Sequence, residues 1–231
     1  MNYVISDIHG CYEEYISALK QIRFSSSDTM YVLGDVIDRG EGGLKVLNHM
    51  MMHDNIIPLV GNHEYMAMLL LKKLCTEITE ESVETTLTED DLVSLDYWCN
   101  DGGNVTLRQF QKLDCYEQEL LMEYFEEFRV AEEIKVNGHT YVLMHAGVSQ
   151  DAVNKSIDQL RIEEVVFEST NVTYQNKTIV CGHTPTNSSQ IEFKANLIRI
   201  DCGCIFGGQL GILCLDTLET FYIPYLKNAH S

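Results

Sequence analysis

Tyr3-Val4-Ile5-Ser6-Asp7-Ile8-His9-Gly10 joins a short apolar run to a polar cluster closed by glycine. The run predicts a buried strand over 3–6, with the polar residues at its carboxyl end. Tyr12, Tyr15, Ile16, Leu19 and Ile22 then follow at i, i+3, i+4 and i+7 spacing, which predicts a helix over 12–22. The same join recurs twice. A strand over 30–33 runs into Gly34-Asp35-Val36-Ile37-Asp38-Arg39-Gly40 and a helix over 44–52. A strand over 56–60 runs into Gly61-Asn62-His63-Glu64 and a helix over 65–74. Strand–loop–helix units in succession predict an α/β fold with a mostly parallel, helix-covered sheet.

Residues 75–130 are acidic and mostly helical, most clearly over 117–128. They read as a helical insertion within a single domain spanning 1–231. Beyond them strands dominate: 133–136 and 140–144 flank Asn137-Gly138, a hairpin signal, and 178–181, 197–200, 210–215 and 220–223 follow. Two of these strands also end in polar clusters, Met144-His145-Ala146-Gly147 and Cys181-Gly182-His183-Thr184.

The chain has 16 basic and 35 acidic side chains, a net charge of −19. That balance argues against nonspecific binding to nucleic acid or anionic membranes, which requires a basic face. No apolar run approaches the roughly 20 residues that span a bilayer. The N-terminus lacks the basic start and long apolar core of a signal peptide, so a cytoplasmic protein is expected. The cysteines form no Cys-x-x-Cys pair and read as reduced thiols. Cys202-Gly203-Cys204 is the closest pair, and a thiolate zinc site there is the minor reading.

The polar clusters carry the chemistry. In open α/β sheets ligands bind at the carboxyl ends of the strands, so loops distant in sequence can share one site. Each Asp, Asn or His taken singly is an ordinary turn or core residue; the recurrence after strand upon strand is what points to a site. Asp, His and Asn supply oxygen and nitrogen ligands suited to Mn²⁺, Fe or Zn²⁺. Asp7, His9 and Asp35 can hold one ion. Asn62, His145 and His183 can hold a second, with Asp35 bridging. Two such ions would favour in-line attack of a bridging hydroxide on phosphorus.

These motifs resemble the ordered set of the phosphoprotein-phosphatase family of calcineurin-like metallophosphoesterases, in its compact bacterial and lambda-phage branch. Asp7-Ile8-His9-Gly10, Gly34-Asp35 with Asp38-Arg39-Gly40, Gly61-Asn62-His63-Glu64, His145-Ala146-Gly147 and Gly182-His183-Thr184 carry the likeness. Trp98 with Gly102-Gly103-Asn104 and Thr106-Leu107, and Asp201 with Gly203 and Gly207-Gly208, extend it over about residues 2–223. The resemblance implies a four-layer α/β/β/α sandwich with two metals at one sheet edge, Mn²⁺ foremost and Fe or Zn²⁺ as alternatives. It implies that His63 is the general acid, that Asp38 orients it and raises its pKa, and that Arg39 and Asn62 contact the phosphate. A second arginine of that branch falls at Ser169 here, leaving Arg161 as its candidate replacement. Gly138-His139-Thr140 repeats a motif string but begins a strand. His49, His53 and His230 read as surface residues, and the acidic run 77–91 as a solvated face.

The expected activity is a metal-dependent phosphatase acting on phosphomonoesters, with phosphoserine or phosphothreonine in proteins, or a small phosphoester, as substrate. The alternative is a hydrolase of dinucleoside polyphosphates such as diadenosine tetraphosphate. Family members of that kind often replace the residue at Asp38 and end the third motif in Asp, so Asp38 and Glu64 weigh toward the phosphatase. A noncatalytic binding module is the reading from another class.

Overall fold

The computed structural model describes residues 1–74, 88–168 and 171–226. In chain order its elements are β1 (Asn2–Ile5), α1 (Tyr12–Gln21), β2 (Thr29–Val32), α2 (Gly43–Met51), β3 (Ile56–Pro58), α3 (Asn62–Leu74), α4 (Glu89–Trp98), α5 (Asn104–Phe110), α6 (Cys115–Glu126), β4 (Glu132–Val136), β5 (His139–Leu143), α7 (Glu163–Val166), β6 (Thr178–Cys181), β7 (Glu192–Lys194), β8 (Leu197–Arg199), β9 (Gln209–Cys214) and β10 (Thr220–Pro224). They build two five-stranded sheets, ordered β10-β9-β1-β2-β3 and β4-β5-β6-β8-β7. The expected parallel units are present: β1, β2 and β3 run parallel, as do β5, β6 and β8. Antiparallel β9 and β10 edge the first sheet, and β4 and β7 flank the second, so both sheets are mixed.

Side chains alternate across each strand and sort into two cores. Val4 and Leu213 of the first sheet meet Tyr141, Leu143, Val180 and Ile198 of the second in one buried cluster. Their strand neighbours Ile5, Val32, Val142 and Ile179 point the other way, into the cluster that contains Tyr15, Leu47, Leu71 and Val166 from the helices. The result is the α/β sandwich of face-to-face sheets with helices outside.

The described part of the insertion is helical, and its ends are set by local chemistry. Thr88 with Asp91, and Asp114 with Glu117, form capping boxes that start α4 and α6. A kink over Cys99–Gly103, with non-helical backbone at Asp101 and Gly102, joins α4 to α5. Two details differ from expectation. α3 begins at Asn62 rather than 65, so the third polar cluster is a helical first turn and not a loop. β7 was not anticipated; it is a short edge strand with two of three residues exposed and therefore has no apolar alternation to read.

Candidate metal centre

The polar clusters converge because their strands are parallel and their loops continue the pairing. Asp7 N donates to Gly34 O at 3.1 Å, His9 N to Asp35 O at 2.8 Å and Gly10 N to Val36 O at 2.9 Å. Across the sandwich, His145 Nδ1 donates to Leu33 O at 2.7 Å, and His183 N donates to both Asp7 carboxylate oxygens at 3.1 and 3.0 Å. The turns are sharp. Asp7, His9, Asp35, Asp38, Arg39 and His183 all have positive φ, between 42° and 69°. Asp, Asn and His enter this region more readily than other side chains, and such conformations cluster at functional sites. At Gly182 an added Cβ would strike the Ser6 hydroxyl and the Asp7 carboxylate, so only glycine lets the second sheet's loop approach the first.

One group of acceptors forms around His9. Its Nδ1 donates to Ile37 O at 3.0 Å, which leaves the Nε2 lone pair 3.5 Å from Asp35 Oδ2. Burial lowers the His9 pKa to about 3, so the ring is neutral. Arg39 Nη1 donates to that same Nε2 at 2.5 Å. A second group forms around His145. Its Nε2 lies 2.9 Å from Asn62 Oδ1, 3.2 Å from His183 Nδ1 and 3.5 Å from Asp35 Oδ1. Burial opposes a charge on His145, but the Asp35 carboxylate outweighs it and lifts the pKa to about 10. His183 moves the other way, to about 4, through burial and its charged neighbour His145. Asp35 thus turns one oxygen to each group. Its own pKa stays well below the carboxylate range: burial works against this, and His145 and His63 overcome it. Imidazole nitrogens, an amide oxygen and carboxylate oxygens converging in this way fit divalent cations of the Mn, Fe and Zn type. Asp7 stands behind His183, held by Ser6 and by the His183 amide. Burial and the nearby Asp201 carboxylate raise its pKa well above the usual range.

Beside these groups, His63 Nδ1 donates to Asp38 Oδ2 at 2.6 Å. Trp98 Nε1 donates to the same oxygen at 2.6 Å, and Thr106 Oγ1 donates to Asp38 Oδ1 at 2.5 Å. Burial opposes the His63 imidazolium, but Asp35 and Asp38 outweigh it and its pKa is raised. The far nitrogen, His63 Nε2, is buried without a hydrogen-bond partner, 3.5 Å from Asp101 Oδ2. Arg39 Nη2 donates to Asp101 Oδ1 at 3.0 Å, and the Arg39 guanidinium lies 5.1 Å over the Phe206 ring.

A model of the calcineurin-like phosphoesterases matches residues 3–207. The chain belongs to this family. Among curated relatives, a symmetrical bis(5'-nucleosyl)-tetraphosphatase of Nitrosospira multiformis is 23% identical, over 95% of this chain and 94% of the relative. The asymmetrical bis(5'-nucleosyl)-tetraphosphatase PrpE of Halalkalibacterium halodurans is 26% identical, over 96% and 92%. A solved structure provisionally assigned as a diadenosine tetraphosphatase superposes with a TM-score of 0.68 at 17% identity, over 97% of this chain and 93% of that one; it bears on the fold.

These relatives correct the expected protein phosphatase: both curated relatives, similar over 95–96% of this phosphoesterase, carry dinucleoside tetraphosphatase names. The residues that weighed toward the phosphatase explain the misreading. Glu64 accepts from the backbone N–H of Asp35, Val36, Ile37 and Gly61 at 2.7–3.2 Å and so braces the second motif's turn. Asp38 holds His63. Both tasks are structural ones within this chain, and neither by itself specifies the substrate.

Glu64, Asp101 and Asp201 went unassigned from sequence. Glu64 lay in plain view inside its motif; Asp101 had no local signal, since its partners Arg39 and His63 are far along the chain. Arg161 is not drawn into the cluster: its side chain is 71% exposed and pairs with Glu164 at 3.3 Å. Ser169 and His230 lie outside the described residues, as does most of the acidic run 77–91. His139 pairs with Thr178 at the opposite end of β5 from His145, and His49 is half-buried against the Tyr15 hydroxyl rather than on the surface. Cys202 bonds Ile200 O, and Cys204 groups with Cys11 and Glu14 instead. Among the described residues no helix is long and apolar enough to cross a membrane.

Proposed function

We propose that this phosphoesterase hydrolyses dinucleoside polyphosphates of the bis(5'-nucleosyl)-tetraphosphate class with two divalent metal ions. The observation that carries the chemistry is the Asp35 carboxylate, one oxygen toward His9 and the other toward His145. The substrate class rests on the relatives similar over nearly the whole of both chains. Asp7, His9 and Asp35 would hold one ion, and Asn62, His145 and His183 the other, with Asp35 shared; Mn²⁺ suits this donor set, as do Fe and Zn²⁺. Such ions supply Lewis acidity toward the phosphoryl oxygens and activate water.

The chain's own groups do the rest. Arg39, steadied by Asp101 and Phe206, offers guanidinium N–H groups to phosphate oxygens. His63 Nε2 carries the proton that passes to the leaving oxygen as the P–O bond breaks, and Asp38 keeps the ring turned and charged. A nucleotide phosphate is a better leaving group than an alkoxide, so it leans less on that proton.

Purified, Mn²⁺-loaded protein should turn over diadenosine tetraphosphate with a higher kcat/KM than p-nitrophenyl phosphate or a phosphoserine peptide. Chromatography of the products identifies the bond broken: ADP alone for symmetrical cleavage, ATP with AMP for asymmetrical cleavage. Faster turnover of the phosphopeptide would overturn the proposal.

A further inference from the structure

One cavity adjoins the metal centre without belonging to it. It measures about 480 Å³ and is walled by Tyr65, Leu69 and Lys73 of α3, Val93 and Tyr97 of α4, and Phe167. Its position follows from helix geometry. Asn62, whose amide oxygen meets His145 and His183, opens α3, and Tyr65 and Leu69 lie three and seven residues on, along the same face. At 1.5 Å per residue they stand about 4.5 and 10.5 Å along the axis from Asn62. The opposite wall is tied to the centre as well: Phe167 lies two residues on from Val165, whose carbonyl accepts from the N–H of Ala146, beside His145, at 2.8 Å. Tyr97 directly precedes Trp98, which holds Asp38.

The walls are aromatic and partly exposed. Tyr97 is 64% exposed and Phe167 45%, and the Tyr65 and Phe167 rings meet edge to face at 6.0 Å. The Tyr65 hydroxyl is already committed to Glu163 at 2.6 Å, which fixes that ring. Lys73 pairs with Asp91 at the rim and places a donor and an acceptor beside the rings. A flat heteroaromatic group with polar edges suits such a lining, because every base has a face that stacks on aromatic side chains. The interval of about 10 Å from the Asn62 end to the cavity is one that phosphates and a ribose would span.

We propose that this cavity is a nucleobase subsite, which receives one base of the dinucleoside substrate while its phosphate chain lies at the metal centre. The inference rests on the proposed function and names a subsite for it.

Tyr97→Ala and Phe167→Ala test the subsite, with melting temperatures to confirm folding. Each should lower the preference for diadenosine tetraphosphate over p-nitrophenyl phosphate about tenfold, mainly through KM, in line with the loss of one stacked base. Adenosine titrated into metal-free wild-type protein, followed by NMR, should shift signals of Tyr65 and Tyr97, and Phe167→Ala should weaken that binding. An unchanged substrate preference in both variants would overturn the subsite. If the wild type does not hydrolyse the tetraphosphate at all, the proposed function fails and the titration decides the cavity by itself: adenosine binding that depends on Phe167 supports it, and no binding overturns it.

Discussion

Asp38 holds the His63 imidazole and is itself held by two further donors. Its Oδ2 takes bonds from His63 and Trp98, and its Oδ1 takes one from Thr106. The consequence is electrostatic: Asp35 and Asp38 together raise the pKa of a buried ring that burial would discharge. As a general acid, His63 works protonated, so activity is present below its pKa and lost as pH rises through it. Asp38→Asn removes the charge and exchanges an acceptor for an amide, so the alkaline limb of the kcat–pH profile should move to lower pH. kcat should fall about 10²-fold, within the range of general acid catalysis. The drop should be larger for an alkyl phosphate than for diadenosine tetraphosphate, whose leaving group needs less protonation. An alkaline limb that stays in place in the variant would remove His63 from the acid role.

At the scale of elements, the insertion completes the site. α4 brings Trp98, the kink after it brings Asp101 and α5 brings Thr106, and all three reach the second motif's loop. Gly102 makes the turn possible. Its φ is +104°, and a Cβ there would crowd the backbone of Arg39, whose N–H donates to Gly102 O at 3.1 Å. Trp98→Phe keeps most of the packing but deletes one donor to a buried carboxylate, a change worth about 1–3 kcal/mol. The variant should unfold at lower urea concentration and lose about tenfold in kcat, yet bind the same amount of metal. Full activity with unchanged stability would show that the insertion merely covers the site. Trp98 is also the chain's one tryptophan, so its emission in the parent protein reports on this contact.

For the whole molecule, the centre is a clasp between sheets. His9 and Asp35 follow strands of the first sheet, and His145 and His183 follow strands of the second. Metal bound there stabilises only the folded sandwich, by about 2.7 kcal/mol when free metal is at 100 times Kd. Manganese should therefore raise Tm and bind close to two equivalents, and chelation should reverse both. The pH dependence has a definite sign. His145, with a metal-free pKa of about 10, carries a proton at neutral pH that a cation must displace. Affinity should rise with pH, by up to about tenfold per unit for a single proton exchanged, until pH nears that pKa. Asp35→Asn should weaken both ions together. Calorimetry from pH 6 to 9 that finds no proton release and no gain in affinity would contradict this arrangement of ligands.

The strand–loop–helix joins were legible in sequence because they are local. Short apolar runs, helical periodicity and Asp, His and Gly at strand ends each act within a few residues, and those residue types accept the left-handed turns that the loops adopt. The recurrence of polar clusters after strands, with the family resemblance, was enough to suggest that the loops share one site, but not that they come from two sheets. What only the tertiary structure decided are contacts made through space between segments far apart in the chain. Trp98 and Thr106 on Asp38, Asp101 on Arg39, and the Ala146 N–H on the Val165 carbonyl belong here. So does the direction of Arg161, which its neighbour Glu164 holds at the surface. The third polar cluster became the first turn of a helix because Asn62 and His63 are placed by their partners on other loops, His145 and Asp38, with no apolar periodicity of their own. Substrate choice stayed illegible for the same reason: Asp38 and Glu64 serve the scaffold, whereas the cavity beside the centre exists only once α3, α4 and Phe167 are packed around it.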